Sequence, residues 1–196
     1  MMPPEESILS KEVTNTTDAA RYVSIKVSRL SSPMADGIVI PMESGGELLS
    51  TPASVILPGE AKDIFRFIYN GPEDAKERYY RLTWSDEPLS DTENAVHRKA
   101  GEATTSALIN TILVVGPRKE NFDFKVSGDN VMNTGNAAFR VISFGPCRSE
   151  SAEAGKTCRE RYYVMPGSSI KIKYTNLADA KTRIGIWHGK NYINVR

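Results

Sequence analysis

Cys147 and Cys158 are the only cysteines of the chain, and their spacing bounds what they can do. No further cysteine and no nearby histidine could complete a metal site with them. A disulfide across the polar, glycine-containing segment RSESAEAGKT would close a loop of about a dozen residues and stabilise the fold by roughly 3 kcal/mol in an oxidising compartment. The alternative is a pair of reduced thiols in a cytosolic protein. The two histidines offer less. His97 lies in a charged segment beside Arg98 and Lys99, and His188 follows Trp187 in a turn, neither with the neighbours of a catalytic triad. Glu77, Asp86 and Glu87 are acids near one strand and read as solvated or ion-paired surface. No GxSxG elbow, glycine-rich phosphate loop, HExxH or paired-cysteine zinc motif occurs. Asn15-Thr16-Thr17 matches a glycosylation sequon but reads as a turn. The sequence therefore predicts no enzyme, no cofactor and no metal.

The remaining chemistry belongs to the backbone. The segment ATTSALINTILVVGPR runs from Ala103 to Arg118. In its first half Ala103, Thr105, Ala107 and Ile109 fall on one face of a strand, with Ser106 and Asn110 on the other. The second half, Thr111 to Val115, is a β-branched run that must be covered on both faces, and Gly116-Pro117 stops it. Such a strand has an anchored tail and an edge-like front, which suits pairing with another protein's sheet by β-augmentation. An ordinary buried strand is the alternative.

The elements that hold this strand are also strands. No apolar stripe of period 3.6 persists over four turns, and short strand-like segments bounded by turn residues run from end to end, so the chain is all-β. Before the long segment come Ile8 to Thr16, Tyr22 to Leu30, Leu48 to Leu57 with Pro52 inside it, Ile64 to Tyr69, and Glu77 to Trp84. Residues 85–102 are polar and charged and read as a long loop. After it come Phe122 to Val126, Val131 to Asn133, Ala138 to Phe144, Tyr162 to Met165, Ile170 to Tyr174, Arg183 to Trp187 and Tyr192 to Val195. A chain of 196 residues suits two small domains. Pro117 to Asn121 is the natural joint, dividing residues 1–117 from 118–196. The turn spacing fits immunoglobulin-like sandwiches, and a barrel would look much the same.

Charge excludes some partners. Lys+Arg 25 against Asp+Glu 24 gives a formal charge of +1, so no overall field steers the protein to nucleic acid or an acidic membrane. No apolar run approaches the roughly 20 residues needed to cross a bilayer, and MMPPEESIL lacks a basic region followed by a hydrophobic one.

Taken together, LSKEVTNTTDAARYVSIKVSRLSSP, ELLSTPASVILP, GPEDAKERYYR, NTILVVGPRK, NTGNAAFRV, GPC, ERYYVMPG and GIWHGKNYINV resemble the periplasmic fimbrial chaperones of the chaperone–usher class, within them the common-pilus, EcpB-type branch. The resemblance covers nearly the whole chain from Ser7 onward. It implies two immunoglobulin-like domains set at an angle and a non-enzymatic, periplasmic protein. Such a protein caps pilus subunits that lack the last strand of their sandwich by inserting its own strand, and delivers them to an outer-membrane usher. On this reading Ala103, Thr105, Ala107 and Ile109 point into the subunit while Ile112 and Val114 anchor the strand at home. Glu77 and Arg118 match a family ion pair that sets domain orientation, and the free protein can cap itself as a dimer through the same edge. A pilin-like or adhesive structural subunit is the alternative function.

The chain departs from the family pattern in two places. Better-known members hold the subunit's terminal carboxylate with a basic residue in the first strand and a lysine in the last strand of domain one, where this chain reads Asn110-Thr111-Ile112. Aligning LSKEVTNTT with the family's second strand also leaves MMPPEE too short and too proline-rich to supply the first. The expectation is a truncated chain, with Met1 or Met2 an internal methionine and a signal peptide plus one edge strand upstream.

Overall fold

The structure, a computed structural model, describes residues 1–89, 105–148 and 156–195. Among them are fourteen β-strands and no helix. The first seven are β1 (Ile8–Thr14), β2 (Arg21–Leu30), β3 (Leu48–Thr51), β4 (Ser54–Leu57), β5 (Lys62–Tyr69), β6 (Arg78–Pro88) and β7 (Ala107–Val115). They form two antiparallel sheets, ordered β4-β2-β6-β7 and β1-β5-β3. The next seven are β8 (Phe124–Ser127), β9 (Asn130–Asn133), β10 (Phe139–Pro146), β11 (Thr157–Val164), β12 (Ser169–Lys171), β13 (Arg183–His188) and β14 (Asn191–Asn194). Their sheets are ordered β11-β10-β13-β14 and β12-β9-β8.

Alternation decides which side chains make each core. In β5 the phase is unmistakable, because Phe65, Phe67 and Tyr69 are buried while Ile64 and Arg66, on the opposite face, are exposed. They meet Val23, Tyr80, Leu82, Leu113 and Val115 from the facing sheet. Trp84 stands edge-on to Phe65 and Phe67, with ring centroids 5.4 and 6.0 Å apart. Each such phenylalanine contributes about 1.5–3 kcal/mol by leaving water. A separate core gathers Val131, Phe139, Val141, Val164, Ile172, Ile184 and Ile186. Neither core shares a residue with the other.

Three sequence expectations are revised. The stretch Leu48 to Leu57 is not one strand: it breaks at Pro52, so that β3 pairs with β5 while β4 pairs with β2 in the other sheet. A proline has no N–H to give a ladder, and the chain uses that gap to change sheets. Residues 85–88, expected in the loop, prolong β6 to Pro88 opposite Arg21. Their polarity reflects a sheet end whose charge is matched, since Arg21 grips Asp86 through Nε and Nη2, both at 2.8 Å. The N-terminal residues also contribute more than expected. Met2 is fully buried in the first core and makes a parallel bridge to Val115.

Candidate functional site

The strand singled out by the sequence lies at the rim of its sheet. Along one flank β7 is bonded to β6 from Ala107 opposite Asp86 to Val115 opposite Arg78. Along the other, among the described residues, only Met2 pairs with it. The Met2 N–H donates to the Val114 carbonyl at 2.8 Å, and the Gly116 N–H donates to the Met2 carbonyl at 2.9 Å. From Ala107 to Leu113 no strand covers that flank among the described residues. The backbone groups of this stretch that point outward are left for water or for another chain.

Side chains on the open stretch are apolar and exposed: Leu108 at 67%, Ile109 at 57% and Ile112 at 43%. Ala107 is half-buried, and Thr105 is exposed just ahead of the strand. Thr105 is held there by its carbonyl, which accepts from Arg21 Nη2 at 2.8 Å. Ala103 lies outside the described residues. Two side-chain bonds tie β7 to its neighbour, Trp84 Nε1 donating to Thr111 Oγ1 at 3.0 Å and Thr83 Oγ1 to Asn110 Oδ1 at 2.7 Å.

The anchor is one residue out of phase with expectation. Leu113 and Val115 are the buried members of the tail, whereas Ile112 is exposed and Val114 only half-buried. The run Thr111 to Val115 is therefore covered on one face rather than both. Period-2 geometry then puts Ala107, Ile109 and Thr111 on the core side with Leu113, and Leu108, Asn110, Ile112 and Val114 on the opposite side. Leu108 is a further exposed apolar residue of the strand that the sequence reading does not single out. Its signal was its place in an exposed apolar row with Ile112, hidden because Asn110 interrupts it.

Glu77 and Arg118 do not meet. Arg118 donates through Nη1 to the carbonyls of Pro3 at 2.8 Å and Pro4 at 2.7 Å, and its guanidinium lies 4.7 Å from the centre of the Tyr69 ring. Its role is to pin the N-terminal segment. Glu77 accepts from the Tyr79 hydroxyl and from the Ala138 N–H, both at 2.7 Å, so its carboxylate joins the end of the first core to β10. Burial raises its pKa above the ordinary value, against the pull of those two donors. The cysteines do form a disulfide, with S–S 2.08 Å and Cα–Cα 5.0 Å, which removes the reduced-thiol alternative. No cluster of three or more His, Cys, Asp or Glu with metal-binding geometry occurs among the described residues.

Where β7 ends, a cleft of about 880 Å³ opens between the two sandwiches. Ile112 and Val114 form part of one wall, Arg140, Tyr163 and Trp187 part of the other.

Residues 122–195 match the family model of the EcpB C-terminal domain. A protein of Escherichia coli (strain SMS-3-5) named "Probable fimbrial chaperone EcpB" is 46% identical over 195 residues, covering 100% of this chain and 87% of that protein. Among solved structures, the class 5 fimbriae chaperone CfaA superposes with a TM-score of 0.58 at 18% identity, covering 95% of this chain and 90% of that one. The CupB2 chaperone of Pseudomonas aeruginosa gives 0.56 at 16% identity, covering 98% and 94%. These two likenesses establish the shared immunoglobulin-like architecture.

Proposed function

The chain belongs to the EcpB family of fimbrial chaperones, and from that premise we propose that it captures pilus subunits by lending them β7. The observation that carries this reading is the open flank of β7 from Ala107 to Leu113, beside exposed Leu108, Ile109 and Ile112. A subunit lacking one strand of its sandwich has the complementary need: unpaired backbone groups and an uncovered apolar groove. Each backbone bond gained contributes on the order of 1 kcal/mol net, and each large apolar side chain that leaves water about 1.5–3 kcal/mol. The combination holds the subunit and hides an edge that would otherwise aggregate.

On this reading the protein is no enzyme, works in the periplasm where its disulfide is stable, and passes its cargo to an outer-membrane usher. The two cores correspond to domains at residues 1–117 and 118–196. Ala103, Thr105, Ala107 and Ile109 belong to the subunit-contacting segment, together with Leu108 and Ile112. In the free protein the same edge can pair with a second copy. A pilin-like role is disfavoured because β7 is present and completes its own sheet.

Co-expression of a cognate subunit with the chain should yield a soluble one-to-one complex that is absent without it. Ile109→Asp and Ala107→Asp should abolish the complex while leaving the circular dichroism spectrum unchanged. Capture at the wild-type level by both variants would refute strand lending.

A further inference from the structure

The outer face of the sheet β11-β10-β13-β14 gathers charge of one sign. Side chains of β10 and β11 alternate between core and water, so Arg159 and Arg161 point away from the side of buried Glu160 and Val164, and Ile142 and Phe144 away from the side of buried Val141 and Ser143. Register then fixes their neighbours. Phe144 lies between Arg159 of β11 and Arg183 of β13, and Ile142 lies between Arg161 and Gly185. A Cβ at Gly185 would meet the Tyr192 ring of β14 at 2.3 Å, so the glycine lets that ring lie across the face beside Ile142. The three arginines are exposed, and Phe144 and Tyr192 keep about half of their surface in water. Together they make an apolar strip with arginines around it.

No acid of the sheet balances these charges. Its four strands carry one acidic residue, Glu160, whose carboxylate is turned inwards to the Lys173, Tyr174 and Thr175 N–H groups. Among the described residues no ion pair reaches Arg159, Arg161 or Arg183. Arg183 donates instead to the carbonyls of Ala180 and Thr182, at 2.9 and 3.2 Å. Elsewhere the chain matches its arginines, Arg21 to Asp86, Arg29 to Glu43, Arg78 to Asp74 and Arg148 to Asp129. A surface shaped for solubility alone intersperses both signs. The formal charge of +1 therefore hides a local field, because exposed charges more than about 8 Å apart are largely screened from one another at physiological salt.

Three features select the occupant. Arg159 and Arg183 stand two strand spacings apart across Phe144, roughly 10 Å, too wide to close on one small anion and suited to an array of them. The exposed rings need an apolar layer beneath that array. Tyr192 is already packed on Trp187, ring centroids 5.2 Å apart, so it is not open for the stacking that a nucleic-acid platform uses. A bilayer containing anionic phospholipid has phosphates at its surface and hydrocarbon just below, the two environments that arginine and aromatic side chains share at a membrane interface. We propose that this face of the second sandwich docks reversibly on an anionic phospholipid surface, with Arg159, Arg161 and Arg183 on the phosphates and Phe144 among the upper acyl chains. The strip does not line the cleft where β7 ends, so docking leaves that cleft unoccupied. The inference is independent of strand lending.

The test is sedimentation of the full chain with vesicles of phosphatidylethanolamine and phosphatidylglycerol, compared with vesicles of phosphatidylcholine alone. Wild type should bind the anionic vesicles roughly tenfold or more tightly than the neutral ones, and the difference should shrink as salt is raised. Arg159→Gln and Arg161→Gln should each weaken that binding roughly fivefold, and more when combined. Phe144→Ser should weaken vesicle binding while retention on heparin, a soluble polyanion, stays at the wild-type level. Thermal unfolding and subunit capture should be unchanged in all of them, since the substitutions lie on an exposed face. Equal sedimentation of wild type and the double arginine variant with anionic vesicles would show that this face is not the contact. Retention on heparin without vesicle binding, or vesicle binding that Phe144→Ser leaves intact, would assign the face to a soluble anionic partner and overturn the membrane assignment.

Discussion

Glu160 shows how a single charged group can hold a fold together. It is nearly buried, and its two oxygens accept from the Lys173, Tyr174 and Thr175 N–H groups, the Thr175 hydroxyl and the Tyr162 hydroxyl. Burial alone would raise its pKa, but the Tyr162 and Thr175 hydroxyls and the N–H groups outweigh it and hold the carboxyl down at about 2. This clamp fastens the segment after β12 to β11, beside the disulfide. Because the folded pKa lies below the ordinary 4.5, the stabilisation is complete above that value and drains away as pH falls towards about 2. Glu160→Ala leaves several buried donors without an acceptor and should cost about 3 kcal/mol at pH 7. Urea titrations at pH 7 and pH 3 should show the gap between wild type and variant shrinking in acid. A gap independent of pH would mean that the carboxylate's charge is not what the donors require.

At the scale of the element, β7 shows what a sequence can and cannot disclose. Its existence and its rim character were legible from the alternating front half, the turn at Gly116-Pro117 and the polar stretch before it. Its phase was not, because Thr111 to Val115 is uniformly apolar or β-branched and carries no polar marker to say which side faces in. Only the partners settle it: Tyr80 and Leu82 of β6 and the side chain of Met2 lie on the side of Leu113 and Val115. The true end of β6 was hidden for a related reason, since Asp86 looks like loop until Arg21 is seen across from it. The partners of Arg118 were out of reach altogether, because carbonyls of Pro3 and Pro4 have no signature in a sequence. The corrected phase separates stability from capture. Leu113→Ala should destabilise by about 2–5 kcal/mol through the cavity it leaves. Ile112→Ala should change stability by no more than about 0.5 kcal/mol and yet weaken subunit capture. Chemical denaturation paired with co-purification distinguishes the two, and equal destabilisation by both variants would restore the buried-on-both-faces picture.

Among the described residues the two cores are joined by a handful of polar contacts, those of Arg118 to the Pro3 and Pro4 carbonyls among them. Across the junction the Ala138 N–H donates to Glu77, Asn136 Nδ2 to the Ala75 carbonyl at 3.0 Å, and the Lys119 N–H to the Asp74 carbonyl at 3.0 Å. Such bonds contribute on the order of 1 kcal/mol each, well below what each core gains by burying its own apolar residues. The cores should therefore unfold as separate cooperative units. The disulfide stiffens only the second, where Cys147 and Cys158 are 11 residues apart and cross-linking removes about 3 kcal/mol of unfolded-state entropy on the chain model. Scanning calorimetry should resolve two transitions, one lowered by reductant and unmoved by Leu113→Ala, the other the reverse. That independence matters for capture, because a subunit that touches both sandwiches would bridge the two units and stabilise each through the other. Subunit binding should accordingly raise both transitions and bring them together. A single transition in the free protein, shifting as a whole under reductant, would mean instead that the junction already couples the sandwiches before any ligand arrives.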